Sequence, residues 1–421
     1  MAARRSPVGF TPCRCCARTV SITDPSTGMI SSRLEPARGP RKPPKQPPTG
    51  LLILPSGKSN PVPSIPWVHC MLIDPNTDGS AVVSMAVSPN GQYVAACFKG
   101  RSIRLWSLKT KKLLPALVDP CDSGPSHNIL SIAWSPDSTR ILCGSDRATG
   151  TIWLLKGGVD ESISPEHTLI GHAGDVCIVA VSPDGFRAVT GSVDGSVKLW
   201  YTGTGRQLGN IMDLGGRVTC TRFSPNSEYL AIAVDSTVRI YNSSTVKRLV
   251  EFREHDKLIQ SLSFSPTGKR IVTASGDHTV RVWETESGIE LVAIKEHSGP
   301  LCSASFSPNG DEILTGSHNS FVSVWNSSTG KNRLLLNCRS RVNVVEYLPG
   351  GEYFITGCAN GSVSIWANAS RRLLCEIQGH KGAVNNIGFT PHGDRLVTSG
   401  EDGTIRVWNM EETLIRATSN T

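Results

Sequence analysis

Short apolar runs alternate with turn residues along most of this chain, and the alternation repeats. In the segment Gly171 to Trp200, an apolar run (Val176-Cys-Ile-Val-Ala-Val) meets the turn Ser182-Pro183-Asp184-Gly185. A second run ends at Thr190, a second turn holds Asp194, and a third run ends at Trp200. Runs of this length bounded by Pro, Gly and Asp predict β-strands, and Ser-Pro-Asp-Gly supplies the fixed and then the free φ that a tight turn needs. A fourth run, such as Ile289 to Ile294, completes each unit. The unit recurs eight times. Its terminal aromatics are Trp106, Trp153, Trp200, Tyr241, Trp283, Trp325, Trp366 and Trp408, separated by 47, 47, 41, 42, 42, 41 and 42 residues. A period just above 40 with four strands per unit predicts the blades of a β-propeller.

These phased motifs resemble the WD40-repeat family over about residues 67–421. Gly171-His172 and Gly379-His380 keep the family's Gly-His, with Glu254-His255 and Glu296-His297 as variants, and the units end in Trp-Asn, Trp-Glu, Trp-Ser or Tyr-Asn. The resemblance implies an all-β, closed propeller of eight four-stranded blades, or seven if one repeat is decorative. The propeller is assigned to residues 63–421 and a basic, proline-rich tail, expected to be disordered, to residues 1–62. Closure is expected from a strand within Trp67 to Ile73, with Leu414-Ile415 as the alternative.

The resemblance also implies hydrogen-bonded chains inside the blades. By position these are His172, Thr190, Asp194 and Trp200; His255, Thr273, Asp277 and Trp283; His297, Thr315, Asn319 and Trp325, with Asn in place of the acid; and His380, Thr398, Asp402 and Trp408. A His, a hydroxyl and an acid invite comparison with a nucleophilic triad. Repetition in four blades around a buried Trp points to a structural role instead. Blades one, two and seven lack the histidine and are expected to rely on packing.

Charge is uneven. Of the net +8, the first fifty residues carry +7, with nine Lys or Arg against Asp24 and Glu35. The propeller is close to neutral, so nucleic acid is expected only through the tail. Arg41 to Pro47 fits a basic PxxP ligand for an SH3-type domain. Residues 1–23 are acid-free and contain Arg, a feature of mitochondrial leaders, but Pro7 and Pro12 weaken an amphipathic helix there. The 13 cysteines, three of them in the tail, suggest a reducing compartment, cytoplasm or nucleus. No apolar run is long enough to span a membrane.

The chain contains no phosphate-binding glycine loop, no metal-ligand spacing and no nucleophile elbow. The reading is a non-catalytic scaffold or adaptor without metal or cofactor. It binds protein partners on the loop face that bears the histidines and the Asp turns. The candidate contacts are Asp175, Arg217, Lys257, His318, Arg341, Lys381 and Glu401. Two alternatives remain: a nucleic-acid- or chromatin-associated protein acting through the tail, and the substrate receptor of a ubiquitin-ligase-type complex.

Overall fold

A computed structural model describes residues 69–72, 79–99, 103–115, 117, 128–155, 163–212 and 214–419. The proline-rich tail, with its SH3-type segment, lies outside them. Among the described residues, thirty-one strands form eight antiparallel sheets, and one helix follows the last strand. Each inner strand packs against that of the next blade, from Val82–Val87 round to Val384–Phe389, and the eighth packs back on the first. The array is therefore a closed eight-bladed ring.

Seven sheets have four strands. In blade one the described residues give three laddered strands, and Leu113 and Leu117 take the fourth strand's position through bridges to Trp106 and Ile103. The two 47-residue repeats carry their extra length after the third strands of blades one and two. Closure uses the segment before the first repeat. His69–Leu72 pairs antiparallel with Ile405–Asn409, in the register His69 to Trp408 and Leu72 to Ile405. It is thus the outer strand of blade eight, and removes a sheet edge there.

The alternative closing segment is a helix, Met410–Ser419. Its start is capped: Asn409 Oδ1 accepts the Glu412 N–H at 3.2 Å, while Asn409 Nδ2 donates to Glu412 Oε1 at 3.2 Å. Two acids in the first turn favour the helix dipole. Met410 and Leu414 pack into the apolar cluster of blades seven and eight.

The Ser-Pro turns show why that motif recurs. In six of them glycine takes a left-handed φ, as at Gly185 (79°) and Gly310 (79°). Blades two and four put Ser138 (61°) and Ser227 (62°) there instead. Both serines have work to do. Ser138 Oγ accepts Asn90 N–H and Ser227 Oγ accepts Asp184 N–H, each at 2.9 Å, tying one blade to the blade before it. Apolar clusters lie within and between blades in every sector of the ring.

Candidate functional site

Three of the four expected chains form in full. In blade five, Trp283 Nε1 donates to Thr273 Oγ1 at 3.0 Å, Thr273 Oγ1 lies 2.7 Å from His255 Nε2, and His255 Nδ1 lies 2.8 Å from Asp277 Oδ2. Because the carboxylate only accepts, the proton belongs on Nδ1, and Thr273 donates its hydroxyl to Nε2. Blade eight repeats this with Trp408, Thr398, His380 and Asp402 at 3.0, 2.8 and 3.1 Å. In blade three the links are 2.9 Å (Trp200 to Thr190), 2.8 Å (Thr190 to His172) and a longer 3.4 Å (His172 to Asp194), and the Ser196 hydroxyl sits 2.8 Å from the same imidazole nitrogen.

The electrostatics follow from enclosure. Burial alone would raise the Asp194 carboxyl, but the Ser196 hydroxyl and the Ala173 and Ser196 N–H groups outweigh it and hold the pKa at about 2. Burial lowers His172 and His255 despite their acids. A neutral, enclosed imidazole whose nitrogens are both engaged is a structural tie, not an exposed base.

Blade six breaks the chain at its last link. Trp325 and His297 both reach Thr315, at 2.8 and 3.0 Å. Asn319, however, donates to Ser298 Oγ at 2.5 Å instead of taking the acid's place beside His297. Burial then brings that imidazole down to about 4, with His278 adding to the effect.

Blade seven does not rely on packing alone. Trp366 Nε1 donates to Thr356 Oγ1 at 3.3 Å, and Cys338 stands where the histidine would be, with its thiol 4.0 Å from the same oxygen. The spacing of 18 residues from Cys338 to Thr356 equals that from His255 to Thr273, and it was the available signal. Blades one and two conform to expectation: the buried Trp106 and Trp153 indole N–H groups have no partner among the described residues. Ala96 holds the threonine's register position in blade one. Replacing Ala96 by Ser should give Trp106 an acceptor and raise stability by about 0.5–1 kcal/mol. Denaturant unfolding of the variant checks this, and a loss of stability is the opposing result.

The seven candidate contacts share one face. Asp175, Arg217 and Arg341 precede the inner strands of blades three, four and seven, and their carbonyls accept the N–H groups of Val193, Asp235 and Ala359. His318 and Glu401 occupy the matching turn position in blades six and eight, donating to the Pro300 and Ala383 carbonyls. Lys257 and Lys381 are exposed in the loops just before. Their charges do not make a continuous positive rim. Asp146 and Asp175 come together at blades two and three, where burial and then Asp146 raise the Asp175 carboxyl. Among the described residues there is no cluster of three or more His, Cys, Asp or Glu side chains able to hold a metal.

Comparison with known proteins agrees with this geometry. A family model described as the IFT122 first beta-propeller matches residues 217–420, and one described as WD domain, G-beta repeat matches 69–107, 120–153 and 163–201. Among curated relatives, WD repeat-containing protein 1 of Bos taurus is 29% identical over 203 residues, 47% of this chain and 32% of that protein. The U3 small nucleolar RNA-associated protein 15 homolog of Xenopus tropicalis is 29% identical over 189 residues, 45% of this chain and 35% of that protein. Autophagy-related protein 16 of Arabidopsis thaliana is 25% identical over 181 residues, 42% and 33%. The chain thus spans about a third of the length of these relatives. The crystal structure of the computationally designed Ika8 protein superposes with a TM-score of 0.69 at 23% identity, covering 80% of this chain and 99% of that one. That likeness speaks to the fold alone. From the phased repeats, the tethered blades and the matched models, the chain belongs to the WD40-repeat family of β-propellers.

Proposed function

We propose that this protein is a non-catalytic platform that assembles protein partners on the face carrying the histidines and the Asp turns. The observation that carries the reading is the fixed placement of that face. Each blade's turn residue donates to the carbonyl before its inner strand, so side chains from different blades are held at set positions around one mouth. Rigid presentation lowers the ordering cost of binding. The relatives named above fit a platform role in cytoplasm or nucleus, as does the family.

Within that face, the basic sector at blades seven and eight (Arg341, Lys381), with Arg217 at blade four, suits an acidic or phosphorylated segment. The pair Asp146 and Asp175 would exclude such a segment from blades two and three. Changing Arg217 and Arg341 together to Glu is expected to abolish capture of partners by residues 63–421, with an unchanged circular dichroism spectrum. Undiminished capture would dismiss this face.

The +7 tail supports a second reading, binding to a nucleic-acid backbone. Removing residues 1–60 separates the two: a platform retains its partners, whereas a tail-driven binder loses its nucleic acid.

A further inference from the structure

The opposite mouth of the channel, ringed by the Ser-Pro turns, holds an open recess lined by blades one and four to eight. Its walls are mostly apolar, with turn prolines such as Pro266 and Pro308 and the rings of Phe264, Phe306 and Phe389. Two charged residues interrupt them: Glu346 of blade seven and Arg222 of blade four. Both stand two residues before a Ser-Pro-type turn, and the other six blades place only Ala, Ser or Gly at that position, Ser263, Ser305 and Gly388 among them. Small residues on the remaining blades leave room around the two charges.

The two are not satisfied alike. Arg222 donates to the Thr221 carbonyl at 2.9 Å. Glu346 is paired through its backbone with Ile355, but its carboxyl has no hydrogen bond or ion pair with any described residue. Enclosure raises its carboxyl to about 8, and Arg222 only partly opposes this. Tyr347, the other titratable side chain lining the recess, directs its hydroxyl to Glu312 at 3.5 Å. Glu346 is only partly buried, so its carboxyl is open to an incoming donor.

We propose that this recess is a docking site for a lysine or arginine side chain of a partner protein, with the cationic head on Glu346 and the aliphatic stem along the phenylalanine and proline wall. The long stem and charged tip of these side chains match an apolar entrance with an acid inside. The site faces away from Arg217 and Arg341 and stands independently of the reading above.

Binding a cation there ionises Glu346. Affinity therefore rises with pH through the carboxyl's own pKa and levels off about one unit above it, by about tenfold between pH 7 and pH 9, because the competent form grows from a minor fraction to nearly all. The probes are the capped tripeptides acetyl-Gly-Arg-Gly-amide, acetyl-Gly-Lys-Gly-amide and acetyl-Gly-norleucine-Gly-amide, titrated into the full chain by calorimetry. The arginine peptide keeps its charge across the pH series. Expected are binding of both cationic peptides at least tenfold tighter than norleucine, the stated pH rise, and loss of both in Glu346→Gln. That variant matches the neutral carboxyl in shape, so its fold is preserved. Ser305→Leu, which fills the recess, should abolish binding of all three while leaving partner capture through the opposite face intact. Equal affinity for norleucine and arginine, no binding at all, or unchanged binding by Glu346→Gln would overturn the proposal. Tighter binding after removal of residues 1–62 would also overturn it, by making the chain's own basic tail the occupant.

Discussion

Deleting residues 1–72 is expected to lower the melting temperature by on the order of 5 °C or more and to cause aggregation, whereas deleting residues 1–62 is expected to leave it unchanged. The longer deletion removes His69–Leu72, the outer strand of blade eight. The edge it uncovers, Ile405–Asn409, contains Ile405, Val407 and Trp408, all of them buried. Exposing about 100–200 Å² of apolar surface costs roughly 3–5 kcal/mol. In a domain of this size each kcal/mol moves the midpoint by about 2 °C. An uncovered apolar strand edge also pairs readily with other chains. Thermal melts and sedimentation of the two truncations decide it; identical behaviour would mean that blade eight is completed in some other way.

The second large effect lies in blade five. Thr273→Val keeps the side-chain volume but removes the oxygen shared by Trp283 Nε1 and His255 Nε2. Both groups are buried, and each orphaned group costs about 1–3 kcal/mol, so a total of about 2–6 kcal/mol is expected. Thr356→Val in blade seven should cost less than half as much. There the Trp366 bond is 3.3 Å long and the other partner is a thiol at 4.0 Å, so less is lost. Urea unfolding of the two variants measures the difference. Equal losses would show that the threonine acts by packing rather than as the hub of a hydrogen-bonded chain.

The aromatic rhythm and the Ser-Pro turns made the eight blades legible, because strand length and turn chemistry are local properties. The chains of blades three, five and eight were legible for a related reason: a fixed spacing within a fixed register brings the same four atoms together. Where one residue type changed, spacing alone misled. Asn319 keeps the acid's position but carries an amide that can donate, and it finds Ser298 instead of His297. Cys338 keeps the histidine's position behind a different chemistry. Leu414 looked like strand material, yet the Asn409 cap and the acids at 411 and 412 start a helix there. Glu346 and Arg222 were beyond reach for a different reason. Which strand edge looks into the channel is settled only when the last blade meets the first, and no single repeat contains that information.

The closed ring itself rests on the register of the closing strand against blade eight, in which Cys70 lies opposite Val407. A Val407→Cys variant, oxidised in the folded state and mapped by mass spectrometry, tests it most directly. A cross-linked peptide joining Cys70 to position 407 is the expected product. Absence of that link under conditions that keep the protein folded would contradict a ring closed by its first strand.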